Sequence, residues 1–298
     1  MAIVFKDLPD EELIYGQKSC QGCAALLAAR LTMKVLGKKT VLACPACCFA
    51  ATTSVYPESA VFVPNAVTAF PALASTLAGM AVGGEALGWD EDVTYLGIGG
   101  DGGTIDIGLQ ALSGAAERND NILYICYDNE AYMNTGVQRS GATPYGASTT
   151  TTPAGICSKG CDNTFKKSLF EIMAAHRVPY IATASTSYPK DFMEKVAKAK
   201  AMKGTRIIHI MAPCPTGWGY SAEKTIEIGK MAVECGLWYL AEYEDGKYKL
   251  NMTPKEFKPV ETYLRAQKRF KHLKEEDFRR IEGYRDADWA RLYRLIQM

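Results

Sequence analysis

The stretch Gly99-Gly100-Asp101-Gly102-Gly103 constrains this chain more than any other part of it. It follows the apolar run Val93-Thr94-Tyr95-Leu96-Gly97-Ile98, which reads as a buried parallel strand, and it opens a helical pattern on Ile105, Leu109 and Leu112. Strand, glycine turn and helix in that order make a diphosphate site: glycines let the backbone come close, and a helix amino end offers unpaired N–H groups. A second apolar strand, Ile122 to Tyr127, ends at Asp128-Asn129. Asp101 and Asn129 are therefore expected at one edge of a parallel sheet, where open α/β sheets bind ligands. A carboxylate, an amide and a nearby backbone carbonyl are hard oxygen donors, suited to Mg²⁺ that completes its octahedron with diphosphate oxygens.

A glycine turn alone is a weak signal. Gly-Asp-Gly with Asn129 placed 28 positions after Asp101, at the end of the next strand, resembles the motif of the thiamine diphosphate fold. The competing reading is a tight strand-to-helix turn with Asn129 as an ordinary turn residue.

Around this motif the apolar pattern alternates. Helix is expected at 24–36 and strand at 40–43, then strand at 61–63 and an Ala-rich helix from about Ala66 to Leu87. Beyond the central strands the pattern gives helix 105–118, a long loop from Asp128 to Thr164, helix 165–176, strand 179–184, helix 189–202 and strand 205–211. This is an α/β, doubly wound, mostly parallel sheet. A helix at 222–234 and a hairpin about Asp245-Gly246 complete a main domain of residues 1–252. Residues 253–298 read as a C-terminal arm whose stripe of Trp289, Leu292, Tyr293 and Ile296 docks on this domain or on a partner subunit.

Balanced charge, 34 basic against 33 acidic residues, gives no case for nucleic acid or an anionic membrane. The longest apolar stretch, Ala66 to Leu87, is broken by Pro71, glycines and Glu85, so it reads as a buried helix rather than a span. The start, Met1 to Asp7, lacks the layout of a secretory signal, and a soluble cytoplasmic protein is expected.

Ten cysteines without such a signal point to reduced thiols or a metal centre rather than a disulfide framework. Cys20-x-x-Cys23 at a helix start, a third thiol in Cys47-Cys48 and a fourth in Cys214 make a four-thiolate set. Such a set holds zinc or a [4Fe–4S] cluster, and spacing alone does not separate the two. Plain burial of free cysteine is a further reading. On a cofactor that stabilises carbanions, the enamine intermediate can be oxidised when an electron acceptor lies near, which favours the cluster. His176, His209 and His272 are scattered and read as surface or core-edge residues.

Five segments carry a wider resemblance. They are Cys20-Gln21-Gly22-Cys23, Cys48 before Tyr56-Pro57, Gly100 to Gly108, Tyr127 to Gly136, and Ala212-Pro213-Cys214-Pro215-Thr216-Gly217-Trp218. Together they are similar to the beta subunit of pyruvate:ferredoxin oxidoreductase and its 2-oxoacid:ferredoxin oxidoreductase relatives, over about residues 16 to 275. The resemblance implies that Cys20, Cys23, Cys48 and Cys214 hold a [4Fe–4S] cluster, and that Asp101, Asn129 and the Ala131 carbonyl hold Mg²⁺. It implies that Gly100, Gly102 and Gly103 line the diphosphate, and that Asn134 faces the reacting thiazolium and substrate. Cys44, Cys47, Cys126, Cys157, Cys161 and Cys235 match no ligand position, and Cys157 and Cys161 are at most an extra redox pair.

The implied activity is oxidative decarboxylation of a 2-oxoacid, pyruvate first, to acyl-coenzyme A and CO₂ with electrons passed to ferredoxin, or the reverse synthase reaction. The implied partners are an alpha subunit that supplies the carboxylate activating the cofactor, gamma and ferredoxin-like subunits or domains, and ferredoxin. Where pyruvate-specific members carry an aromatic-and-His segment, this chain reads Val63 to Pro71, and it has Phe49-Ala50-Ala51 where they carry an acid. A 2-oxoacid larger than pyruvate is therefore expected to fit, with Asn65 facing the pocket; aromatic, branched-chain and oxalate substrates stay open. The runner-up is a non-redox thiamine diphosphate lyase with a zinc site, and the third reading is a zinc-ribbon assembly module.

Overall fold

Runs rich in β-branched and aromatic residues, with charge only near their ends, form the middle of the molecule. In the computed structural model, residues 8–9, 12–89 and 92–297 are described. The expectation for the start of the chain falls outside them at residues 1–7, 10 and 11. In chain order come α1 (Ala24–Leu36), β1 (Thr40–Pro45), α2 (Cys48–Thr53), a small ribbon of β2 (Ser54–Val55) and β3 (Glu58–Ser59), β4 (Asn65–Thr68) and α3 (Leu73–Ala86). Then follow β5 (Thr94–Gly100), a wide helical turn (Gly102–Asp106), α4 (Leu109–Arg118), β6 (Ile122–Asp128), α5 (Leu169–Ala175), β7 (Tyr180–Ser185), α6 (Pro189–Ala201) and β8 (Thr205–Met211). The chain finishes with α7 (Pro215–Trp218), α8 (Thr225–Glu234), β9 (Leu240–Glu244), β10 (Lys247–Met252), α9 (Val260–Arg265) and α10 (Glu275–Gln297).

Eight strands make one sheet in the order β10-β9-β7-β8-β6-β5-β1-β4. From β4 to β7 every pairing is parallel, and the β9–β10 hairpin adds on antiparallel. Alternate residues of β6 face opposite sides, so Leu123 and Ile125 pack under α1 and α6 while Ile122 and Tyr124 pack under α3, α4 and α5. After β1 the chain steps outward to β4, whereas after β5 it steps the other way to β6. The strand order thus reverses between β1 and β5, and a crevice opens beyond their carboxyl ends.

Two expected elements moved. Of the strand expected at 61–63 only Val61 bridges, to Ile14, and the pairing with β1 falls instead on Asn65–Thr68. Pro64 has no N–H to give a ladder, and Pro71 biases Phe70 away from helical backbone, so the Ala-rich helix starts at Leu73 rather than Ala66. The helix expected from Ile105 is preceded by the wide turn, closed by the Ile107 N–H donating to the Gly102 carbonyl at 3.2 Å. The 165–176 helix starts late, at Leu169, because the Ser168 hydroxyl accepts from the Glu171 N–H and caps it. His209 is no core-edge residue: it is buried, with Nε2 2.7 Å from Asp128 Oδ2.

The stripe on α10 docks on this chain. Trp289 is buried, donates its indole N–H to the Gly236 carbonyl at 2.7 Å and packs on Phe257, while Leu292 joins the core on the α3–α5 face. Trp289→Ala is expected to cost about 3–5 kcal/mol, read as a lower denaturant midpoint. Among the described residues no helix is long and apolar enough to cross a membrane.

Candidate active site

The crevice between β1 and β5 is a cleft of about 390 Å³. Its floor is Gly100 to Gly103; one wall is Cys47 to Val55, and the other is Ala131 to Thr135. Gly100, Asp101, Gly102, Gly103, Asn129, Ala131 and Asn134, seven positions singled out by motif, all line it, together with Cys48. Two glycines of the motif are required by crowding. A Cβ on Gly102 would stand 2.5 Å from the Tyr132 ring, and one on Gly108 would stand 2.0 Å from the Gly103 carbonyl oxygen.

Asp101 is completely buried. The Ser140 hydroxyl donates to its Oδ2 at 2.5 Å, which leaves Oδ1 free to face Asn129. Burial, reinforced by the neighbouring Asp128 carboxylate, pushes the Asp101 carboxyl well above its ordinary range. The Asn129 amide turns its oxygen towards Asp101 Oδ1 and the Ala131 carbonyl oxygen, at 3.0 and 3.1 Å. Half a turn of the amide would put its NH₂ group there and make two hydrogen bonds. With the oxygen inward, three acceptors meet without a donor, an arrangement that a cation stabilises. Adjacent oxygens in an octahedral Mg²⁺ shell stand about 2.9–3.0 Å apart, so the set has the right span for that ion.

Asn129 is held from both sides. The Asp128 carboxylate takes Lys166 Nζ at 2.7 Å and His209 Nε2 at 2.7 Å, and the Asn129 carbonyl accepts from the Trp218 indole N–H at 2.8 Å. Burial opposes ionisation of Asp128, but Lys166 and His209 outweigh it and hold the carboxyl at about 2. Burial also lowers the His209 pKa, against the pull of Asp128.

The four motif cysteines lie near one another without forming a closed cage. Cys23 precedes α1, Cys48 begins α2 and Cys214 caps α7, where the Gly217 N–H donates to its sulfur at 3.3 Å. Burial pushes the Cys48 thiol up to about 12, helped by Cys214, Cys47 and Cys23, and pushes Cys214 to about 11, helped by Cys23 and Cys20. All ten cysteines are free, and among the described residues no three His, Cys, Asp or Glu side chains converge closely enough to cage a metal. Cys157 is exposed and Cys161 is buried.

Similarity to known proteins follows the same lines. Residues 49–210 match the family described as "Thiamine pyrophosphate enzyme, C-terminal TPP binding domain". Pyruvate synthase subunit PorB of Methanothermobacter thermautotrophicus is 54% identical over 281 residues, spanning 94% of this chain and 97% of that one. The chain belongs to the beta subunits of the 2-oxoacid:ferredoxin oxidoreductases. Another relative, ketoisovalerate oxidoreductase subunit VorB of Pyrococcus abyssi, is 45% identical over 298 residues, covering 98% of this chain and 96% of the relative. A solved 2-oxoglutarate:ferredoxin oxidoreductase from Magnetococcus marinus shares the fold, with a TM-score of 0.57 at 23% identity over 71% of this chain and 68% of that one.

One position expected to shape substrate choice in this beta subunit is misplaced. Asn65 opens β4, and its amide donates to the Val63 carbonyl at 3.0 Å, away from the cleft. Because parallel strands deliver their carboxyl ends to the crevice, the later residues Val67 and Phe70 reach it instead. Sequence reasoning also missed Ser140, Tyr127, Tyr132 and Lys166. Ser140 lies in the irregular 128–164 segment, where no periodicity or motif spacing marks a partner for Asp101.

Proposed function

We propose that this beta subunit serves the oxidative decarboxylation of pyruvate, and its reversal, with thiamine diphosphate and Mg²⁺ in the β1–β5 cleft and a [4Fe–4S] cluster on Cys20, Cys23, Cys48 and Cys214. The observation that carries the reading is the convergence of Asp101 Oδ1 and the Ala131 carbonyl on the Asn129 side-chain amide, at 3.0 and 3.1 Å, beside the glycine floor. When bound, the cofactor and the cluster supply a carbanion that adds to 2-oxo carbons and an acceptor for single electrons. The chain's own residues do the holding. Ser140 aims Asp101, Trp218 pins Asn129, Gly102 and Gly103 would hold the diphosphate, and Phe70 and Tyr132, with ring centroids 5.8 Å apart, would wall off water. Asn134, exposed at the mouth, donates to the substrate.

Among the described residues Asp101 is the one carboxylate lining the cleft, and it is committed to the cation. The acid that activates the cofactor therefore comes from an alpha subunit closing over the mouth. Coenzyme A, bound in the Magnetococcus relative, is the acyl acceptor we assign to the complex, and gamma and ferredoxin-like subunits pass electrons to ferredoxin.

The reading is tested by metal analysis and an anaerobic visible spectrum of the purified chain. About four iron and no stoichiometric zinc are expected. One zinc per chain without a visible shoulder would overturn it in favour of a non-redox lyase. Selectivity gives a second check. Val67, Ala50 and Ala51 leave room beyond a methyl group, and relatives named for pyruvate and for ketoisovalerate both lie at 45% identity or more. The complex is expected to accept a branched 2-oxoacid as well as pyruvate. Val67→Phe should favour pyruvate by about tenfold or more in relative kcat/KM, since a methylene's worth of pocket volume is worth about 1–3 kcal/mol. Asn65→Trp should change the ratio little.

A further inference from the structure

Glu130, between two of the three oxygen donors, has φ of 65°, a left-handed backbone that a residue with a side chain adopts only when its surroundings hold it there. Four groups do so. Its N–H donates to Asp128 Oδ1 at 3.0 Å, and its carbonyl accepts from the Thr143 hydroxyl at 2.8 Å. Its carboxylate lies between Lys166 Nζ at 2.9 Å and Arg269 Nη2 at 2.5 Å. Lys166 is shared with Asp128, so among the described residues Arg269 is the one cation that serves Glu130 alone.

Arg269 comes from the stretch between α9 and α10, 139 positions further along the chain, and is buried like Glu130. Its guanidinium makes further contacts. Nε donates to Gln267 Oε1 at 2.9 Å, and the plane lies 3.9 Å from the centre of the Trp218 ring. That indole in turn donates to the Asn129 carbonyl. One side chain therefore touches both the acid that follows Asn129 and the ring that pins it, a ring on α7, the helix that Cys214 caps.

We propose that Arg269 is a positioning residue for the Asp101–Asn129–Ala131 oxygen set, which makes the C-terminal segment part of the cofactor site. The proposal rests on the Mg²⁺ reading above. Without the guanidinium, the Glu130 carboxylate keeps only a shared lysine, and the turn relaxes towards negative φ. The Ala131 carbonyl and the Asn129 amide then lose their common direction. Loss of an outer group that orients metal ligands typically costs about 10- to 100-fold in affinity.

The test uses the assembled complex and measures the Mg²⁺-dependent Kd for thiamine diphosphate, together with amide exchange over residues 128–131 in the cofactor-free state. Arg269→Gln is expected to raise Kd about tenfold or more and to speed exchange. Arg269→Lys, which keeps the charge but not the stacked fork, should fall between it and the wild type. Arg280→Gln is the control for general loosening, because Arg280 holds Tyr145 in the same region without touching Glu130. It should lower Tm while leaving Kd within about twofold. An unchanged Kd and unchanged exchange in Arg269→Gln, with cofactor lost in Asp101→Ala, would overturn the positioning role and leave the cation site standing. Cofactor retained in Asp101→Ala would overturn the site itself. If Arg269→Gln does not fold, Glu130→Gln removes the same ion pair from the other side, and its Kd and exchange are read in the same way.

Discussion

Asp101→Ala is expected to abolish retention of thiamine diphosphate, and all 2-oxoacid turnover with it, while leaving the iron content of the chain unchanged. Among the three oxygen donors Asp101 carries the only charge, so its removal takes away most of the attraction for a divalent ion. The fold should not suffer. Asp101 is buried with one hydroxyl donor, and its carboxyl is pushed up by burial and by Asp128, so without a cation its charge is a burden on the native state. The sign for pH follows. A carboxyl whose folded pKa is raised binds protons more tightly in the native state than in the unfolded chain. Stability of the cofactor-free protein therefore falls as pH rises from the ordinary value of 3.8 through the raised one. Asp101→Asn removes that slope, and its cofactor-free Tm should equal or exceed the wild type at neutral pH. Cofactor content after gel filtration and Tm at two pH values check both halves. Normal cofactor content in Asp101→Ala would place the cation elsewhere.

Cys214→Ser is expected to remove most of the iron and to stop ferredoxin reduction, while thiamine diphosphate still binds. Cys214 caps α7 beside Cys23 and Cys20, and burial keeps its thiol protonated near neutral pH in the absence of metal. Its assembly into a cluster therefore releases a proton, and a serine oxygen is a poor substitute for the soft thiolate. The double variant Cys157→Ser/Cys161→Ser serves as the contrast. One of those residues is exposed and the other buried, neither borders the cleft, and iron and activity should remain. Iron assay and electron paramagnetic resonance of the reduced complex distinguish the outcomes. Equal iron in wild type and Cys214→Ser would exclude this cysteine as a ligand.

What the sequence determined by itself is local. The uncharged runs at 94–100 and 122–127 are strands because apolar side chains dominate them, and Asp245-Gly246 turns a hairpin because both residues accept positive φ. The glycines around Asp101 and the interval to Asn129 were enough to put two oxygen donors at neighbouring strand ends, since adjacent parallel strands share an edge. What only the tertiary structure decided depends on residues distant in sequence. The reversal of strand order between β1 and β5 set the cleft, and it brought Val67 and Phe70 rather than Asn65 to its wall. Ser140 meets Asp101 across 39 positions, His209 meets Asp128 across 81 and Arg269 meets Glu130 across 139. Periodicity and turn chemistry report on neighbours a few residues apart. A buried charge finds its partner through the packing of the whole chain, and that leaves no spacing to read.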